Sequence, residues 1–335
     1  MRSSLQVMII TFLICIASNT SSLGADMLYV TNYGGVGDIG RVGKYTTDGM
    51  TVNSSYITSL INYPTDVALD SSGNIYTANH GTGDVIKSDP TGNNSVVFID
   101  LNSSDRNIAF DSQGNFYTNY YVWPSGATGP TTTINKYDST GALLNAQLIS
   151  VPNGYLGINN FSFDSQDNLY VNYSIPNGPS NKVSIISKYD SNGNLLNGNY
   201  VTGLGAWAGE IVFDKQGNML VVDWDVVYKY SPQGVGMGIF ATNTGVDKGG
   251  IGMAIDSNEN IYLSNLYDRS ISKFSSSGAI ISQSFITGLN SPGGLAIQPA
   301  PVPEPSTYAL ATIASVLMAL SIRRRNRSKV CLIDL

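Results

Sequence analysis

From Met27 to Ile297 the apolar residues come in short runs, set apart by clusters of Gly, Asn, Asp and Ser. Five of the runs share a sequel. Val67-Ala68-Leu69, Ile108-Ala109-Phe110, Phe161-Ser162-Phe163, Ile211-Val212-Phe213 and Met253-Ala254-Ile255 each lead into a copy of one motif. The copies are DSSGNIY from Asp70, DSQGNFY from Asp111, DSQDNLY from Asp164, DKQGNML from Asp214 and DSNENIY from Asp256. Runs of β-branched and aromatic residues bounded by turn residues predict strands. The motif itself predicts the turn of a hairpin. Its Asp can accept backbone N–H groups two residues on, and Gly73, Gly114 and Gly217 supply a left-handed backbone without steric cost. Asp167 and Glu259 replace that Gly in two copies, and Asp tolerates the position better than Glu. A second strand then alternates, as in Asn74 to Asn79. A third carries a Lys-aromatic pair before another turn, clearest in INKYDSTG from Ile134 and ISKYDSNG from Ile186. A looser fourth closes each unit, for instance Ser95 to Asp100 or Ile280 to Ile286.

The motif Asp recurs at spacings of 41, 53, 50 and 42 residues. A repeat of this length with four antiparallel strands predicts an all-β fold, the blades of a β-propeller. The two ends of the region complement one another. Met27 to Asn32 reads as a second strand, Val42 to Tyr45 as a third and Thr51 to Thr58 as a fourth, with no first strand before them. Gly294 to Ile297 reads as a first strand with nothing after it. Joining them gives a sixth, composite blade that closes the ring and removes exposed sheet edges. Two connections are long, Tyr120 to Thr133 and Asn172 to Val183, and are expected as loops between second and third strands.

The apolar run, Asp-x-x-Gly-Asn, aromatic strand and Lys-aromatic-Asp-x-x-Gly together resemble the NHL-repeat and gluconolactonase-like six-bladed propellers over Asp26 to Gln298. The resemblance implies the fold. Such propellers include binding scaffolds as well as hydrolases, so it does not choose a function. Both ends of the chain speak to destination. Residues 1–25, with Arg2, the apolar core Val7 to Ala17 and Leu23-Gly24-Ala25, predict a secretory signal peptide. After the propeller come a proline-stiffened linker over 299–306, an apolar stretch over 307–322 and a basic tail over 323–335. At about 1.5 Å per residue the apolar stretch spans roughly 24 Å, enough for a transmembrane helix with snorkelling arginines. Pro303, Glu304 and Pro305, then that helix, then Arg323, Arg324 and Arg325 resemble the PEP-CTERM sorting signal of Gram-negative bacteria. The resemblance implies an exosortase-type processing enzyme as partner, membrane attachment through the C-terminal helix, and a periplasmic propeller later placed at the surface or released. The tail from Asn326 to Leu335 is longer than the signal usually carries.

Charge and chemistry narrow the function without choosing it. Between Asp26 and Val302 there are 12 Lys or Arg against 22 Asp or Glu, a net charge of −10, which argues against nucleic acid and anionic membrane surfaces. No cysteine falls in that span, so disulfides hold nothing together there. His80 is the only histidine and reads as a surface or loop residue. Asp190 to Asn194 reads as a hairpin turn rather than a calcium loop, because the terminal Glu is missing. The residue four before each motif Asp opens an innermost strand at the channel mouth, and the series round the ring is Asp66, Asn107, Asn160, Glu210, Gly252, Gly294. The first four offer the carboxylate and amide oxygens that a hard cation such as Ca²⁺ takes. The gluconolactonase-like resemblance implies a divalent metal at equivalent strand starts. Polar caps at strand ends would give the same series. Tyr120, Tyr121, Trp123 and Trp207 are expected on the same face, where aromatics suit a polysaccharide or protein ligand and equally suit packing. Two functions follow. One is a non-catalytic envelope or matrix binding module, and the other is a metal-dependent lactone or ester hydrolase whose base the residues do not identify. Asp223 and Asp225 lie near the right region.

Overall fold

The computed structural model describes residues 25–101, 107–122, 131–178, 181–243 and 249–301. Residues 1–24, where most of the expected leader falls, and everything from Val302 onward lie outside them, including Pro303, Glu304, Pro305 and Arg323 to Arg325. Among the described residues no helix is long and apolar enough to cross a membrane. The expected span at Thr307 to Ile322 lies outside these residues.

The motif Asp builds its own turn. Asp70 Oδ1 accepts the N–H groups of Ser72 and Asn74, both at 2.9 Å, and Oδ2 accepts the Asn74 amide at 2.7 Å. Asp111, Asp164, Asp214 and Asp256 repeat the pattern. Gly73 takes φ +79° at the left-handed position. Asp167 and Glu259 hold the same conformation, at φ 60° and 63°, and each spends its carboxylate on the neighbouring blade. Asp167 accepts the Ser112 N–H at 2.8 Å, and Glu259 accepts the Lys215 N–H at 2.8 Å. That interblade bond is what the departure from Gly gains against its conformational cost.

The hairpins assemble six four-stranded antiparallel sheets among the described residues. The first blade takes β1 (Met27–Asn32), β2 (Arg41–Thr46) and β3 (Thr51–Ile57). The second is β4 (Pro64–Leu69), β5 (Ile75–Asn79), β6 (Asp84–Ser88) and β7 (Val96–Asp100). The third is β8 (Ile108–Phe110), β9 (Phe116–Val122), β10 (Thr131–Tyr137) and β11 (Leu143–Ser150). The fourth is β12 (Gly157–Phe163), β13 (Leu169–Pro176), β14 (Lys182–Tyr189) and β15 (Leu195–Leu204). The fifth is β16 (Ala208–Phe213), β17 (Met219–Asp223), β18 (Val226–Tyr230) and β19 (Gly236–Thr242). The sixth is β20 (Gly250–Ile255), β21 (Ile261–Asn265), β22 (Ser270–Phe274) and β23 (Ile280–Ile286), and β24 (Pro292–Gln298) pairs with β1 to complete the first. This is the six-bladed ring closed by both ends of the domain. β4, β8, β12, β16, β20 and β24 are innermost and neighbour one another round a central channel.

The core lies between blades. One apolar cluster fills each of the six junctions, as where Tyr29, Val42 and Ile57 of the first blade meet Val67 and Ile75 of the second. A blade packed on both faces is buried on both, so β5 and β21 are buried at every position. The outermost strands are exposed instead, and each is bulged against its neighbour, which discourages edge pairing. The two long connections are shorter than expected. β9 and β10 run to Val122 and from Thr131, and β13 and β14 run to Pro176 and from Lys182, so much of each stretch extends a hairpin. Pairing continues because both edges of these two strands find partners.

Candidate functional site

The polar series lines the channel close to the strand openings rather than at them: Asp66, Glu210, Gly252 and Gly294 are third in β4, β16, β20 and β24, Asn160 is fourth in β12, and Asn107 precedes β8. Asp66, Asn107, Asn160, Glu210, Gly252 and Gly294 all line one cavity of about 610 Å³. Asp66 and Glu210 also line a second, smaller cavity of about 270 Å³ with Ile108, Phe161 and Ile255. They therefore sit at the waist between the two, at the floor of the larger cavity rather than at its mouth. The two glycines of the series are steric requirements. A Cβ on Gly294 would run into Asp66 Oδ1, and one on Gly252 into the Gly293 carbonyl.

Asp66 is held by its own strand and by the next innermost one. Its Oδ1 accepts the Val67 N–H at 2.8 Å and its Oδ2 the Ile108 N–H at 3.0 Å. Burial pushes its carboxyl up to about 7 against those two bonds. Burial also pushes Glu210 well above the usual carboxylate range, and the Asp66 charge adds to it. The Asn160 amide donates to Glu210 Oε2 at 3.1 Å. The Oδ1 atoms of Asn107 and Asn160 are buried without a donor among the described residues. Two carboxylates, one buried and one half-buried, and two undonated amide oxygens suit a hard cation, so the donor chemistry fits Ca²⁺. No group of three or more His, Cys, Asp or Glu able to hold a metal occurs among the described residues, and the amides are essential to this set.

The aromatic expectations divide. Trp207 lines the cavity and is 60% exposed, with Lys182 Nζ 4.7 Å from its ring centre. Tyr120 is half-buried on β9 and is not among the described cavity residues. The Tyr121 side chain and Trp123 lie outside the described residues. Asp223 does not reach the cavity; its Oδ2 accepts the Gly205 N–H at 2.6 Å and ties down the loop carrying Trp207. Asp190 closes a turn by accepting the N–H groups of Asn192 and Asn194.

Three features escaped the sequence. His80 stands in the short β5–β6 turn, as its loop reading expects, but it also lines the cavity, half-buried, with Nδ1 3.2 Å from the Tyr33 hydroxyl. Its N–H is bonded to the Tyr63 carbonyl. Asn79 and Asn119, near the ends of second strands, accept the N–H groups of Asn62 and Asn107 and fix the connections that enter the cavity. Trp224 and Tyr267 continue a row of rings from Trp207. An Asn late in five of the six second strands, replaced by Asp223 in the fifth blade, was the available signal for the clips. Hairpin tips of differing sequence offered none for the rings.

Residues 301–325 match the PEP-CTERM protein-sorting motif. No curated protein matches the chain in sequence. Among solved structures, a chain of a nidogen/laminin complex is similar with a TM-score of 0.59 and 13% identity, covering 83% of this chain and 100% of that one. A putative gluconolactonase gives a TM-score of 0.53 and 10% identity over 71% of this chain and 85% of that one. A calcium-binding protein, regucalcin, from Agrobacterium tumefaciens gives 0.53 and 13% over 74% and 85%. Identities this low show the fold alone. The sorting motif marks an exported protein that is sorted at the membrane as an exosortase substrate. The chain is thus a six-bladed β-propeller of the gluconolactonase and regucalcin shape that carries a PEP-CTERM sorting motif.

Proposed function

We propose that this protein is a non-catalytic envelope binding module that takes a polar ligand through a divalent cation on Asp66, Asn107, Asn160 and Glu210. The observation that carries the reading is the floor of the cavity. Buried Asp66 and half-buried Glu210 both line it and feel each other's charge, two buried amide oxygens lack donors, and no basic side chain of the described residues pairs with either acid. Like charges buried together are costly unless protonated or neutralised. A bound Ca²⁺ would neutralise them and leave coordination positions for ligand oxygens. The similar fold described as a calcium-binding protein supports the cation. The propeller lies on the outer side of the membrane, anchored by 307–322 until cleavage near Pro303-Glu304-Pro305.

A second reading, a metal-dependent lactone or ester hydrolase, is favoured by His80. Its Nδ1 is engaged by Tyr33, which leaves Nε2 as the nitrogen free to act on a proton in the cavity. The similar fold described as a putative gluconolactonase supports it.

Thermal melts with Ca²⁺ or a chelator test the cation. At Ca²⁺ a hundred times Kd the gain is about 2.7 kcal/mol, or roughly 5–10 °C for a domain of this size. Glu210→Gln removes most of it. The gain grows between pH 5 and 8, because protons compete for carboxyls whose affinities are raised. No shift at millimolar Ca²⁺ would sink the reading. Turnover of lactones or aryl esters that a chelator and His80→Gln both abolish would replace it with the hydrolase.

A further inference from the structure

Above the channel floor, three aromatic side chains form a continuous strip on the rim. Trp207 comes from the connection into β16, Trp224 from the turn between β17 and β18, and Tyr267 from the turn between β21 and β22. The Trp207 and Trp224 ring centres are 5.4 Å apart, and those of Trp224 and Tyr267 5.9 Å. The outer two are 60% and 59% exposed, which packing does not ask of large aromatics. The strip is also built. Lys182 holds one end of it by its contact with Trp207, and Gly249 leaves room under Tyr267, whose ring a Cβ would meet at 2.8 Å. Trp224 sits at φ 59°, in a two-residue turn where Asn or Gly is ordinary. A bulky residue kept in that conformation is a mark of function more than of folding. Ile251 and Leu266 carry the strip into the cavity that Trp207 lines.

Resting on the reading of that cavity as a ligand site, we propose that the strip is a stacking platform for neutral sugar rings and that the ligand is a neutral glycan. A sugar ring has an apolar C–H face and a polar edge of hydroxyls. The aromatic faces match the first, and a cation held by Asp66, Asn107, Asn160 and Glu210 would take hydroxyl oxygens of the second. An extended peptide would need free backbone groups on a strand edge. The Val67 and Ile108 N–H groups at the floor are already taken by Asp66. A polyanion would meet the net charge of −10 between Asp26 and Val302.

The test is affinity electrophoresis of the full-length protein with Ca²⁺, in gels holding hydroxyethylcellulose, laminarin, alginate or gelatin. Retardation by at least one neutral glucan is expected. Trp207→Ala and Tyr267→Ala should each weaken it roughly fivefold to tenfold. Leu196→Ala, exposed on an outer strand, should leave it unchanged. Unaltered retardation of both aromatic variants overturns the platform, as does retardation by alginate or gelatin alone. Melting the same samples with Ca²⁺ separates the two readings. A Ca²⁺ shift without glucan binding overturns the platform and leaves the cation standing, and loss of both removes the cavity as a ligand site.

Discussion

The fifth blade shows how one residue reassigns another. In the second, third, fourth and sixth blades an aromatic hydroxyl, from Tyr76, Tyr117, Tyr170 or Tyr262, donates to the motif Asp, and a Lys lies over the ring. Leu220 occupies that place in the fifth blade, and the Lys takes over the bond. Lys229 Nζ is 2.8 Å from Asp214 Oδ2, against 3.5 Å for Lys136 with Asp111 and 3.8 Å for Lys188 with Asp164. Burial works to raise the Asp214 carboxyl, but Lys229 and Asn218 outweigh it and hold it below the ordinary range. A depressed carboxyl contributes stability above its unfolded pKa and loses it as pH falls through the folded value. Lys229→Met should therefore cost about 1 kcal/mol more than Lys136→Met at pH 7, because Tyr117 still serves Asp111 at 2.9 Å. The difference should close as pH falls below about 4. Urea melts of the two variants measure it, and equal losses at pH 7 would show that the Lys–Asp bond carries no special weight in this blade.

Strands were legible because a buried blade needs short apolar runs and a turn needs its Asp and Gly, and both requirements are local. The composite blade was legible for the same reason, since a unit without a first strand and a first strand without a unit are each visible in order of residues. Strand length was harder. The residues of Asn172 to Pro176 look like loop until their partners across β14 are known. At the site, a fixed offset from the motif Asp located channel-lining residues of the innermost strands, though not the strand starts, while depth in the channel depended on how closely the ring shuts. Trp224, Tyr267 and His80 stand at turns where no repeat constrains the residue, so only the folded arrangement brings His80 to the cavity and the two rings into line with Trp207. Ring closure itself rests on β24. Tyr29 donates to Gln298 Oε1 at 2.9 Å, and Leu295 packs with Leu28 and Tyr262 across the junction. A domain ending at Asn290 leaves β1 without its inner neighbour and exposes that cluster. It should melt well below one ending at Pro301 and bind a hydrophobic dye; equal, cooperative melts would show that the ring does not depend on closure.

At the scale of the whole molecule, the fold limits where processing can cut. Asp26 is buried, its Oδ2 accepts the Ser257 N–H of the sixth blade at 2.8 Å, and its carbonyl accepts the Thr47 N–H at 3.0 Å. It does for the last junction what Asp167 and Glu259 do for two others. A leader peptidase cut beyond Asp26 would remove that clip, so the mature protein should begin no later than Asp26, in keeping with a leader that ends at Ala25. At the other end the last ladder residue is Gln298, which pairs with Met27 and holds the Tyr29 hydroxyl. Cleavage near Pro303-Glu304-Pro305 falls beyond it and costs the ring nothing. Intact-mass analysis of the protein from its native envelope should therefore give one species that begins at or before Asp26 and ends between Gln298 and Ser306, with the arginine cluster gone. A mass that retains Arg323 to Leu335 would remove the processing step and leave a membrane-held propeller. A start beyond Asp26 in a protein that still melts cooperatively would show that the ring closes without its final clip.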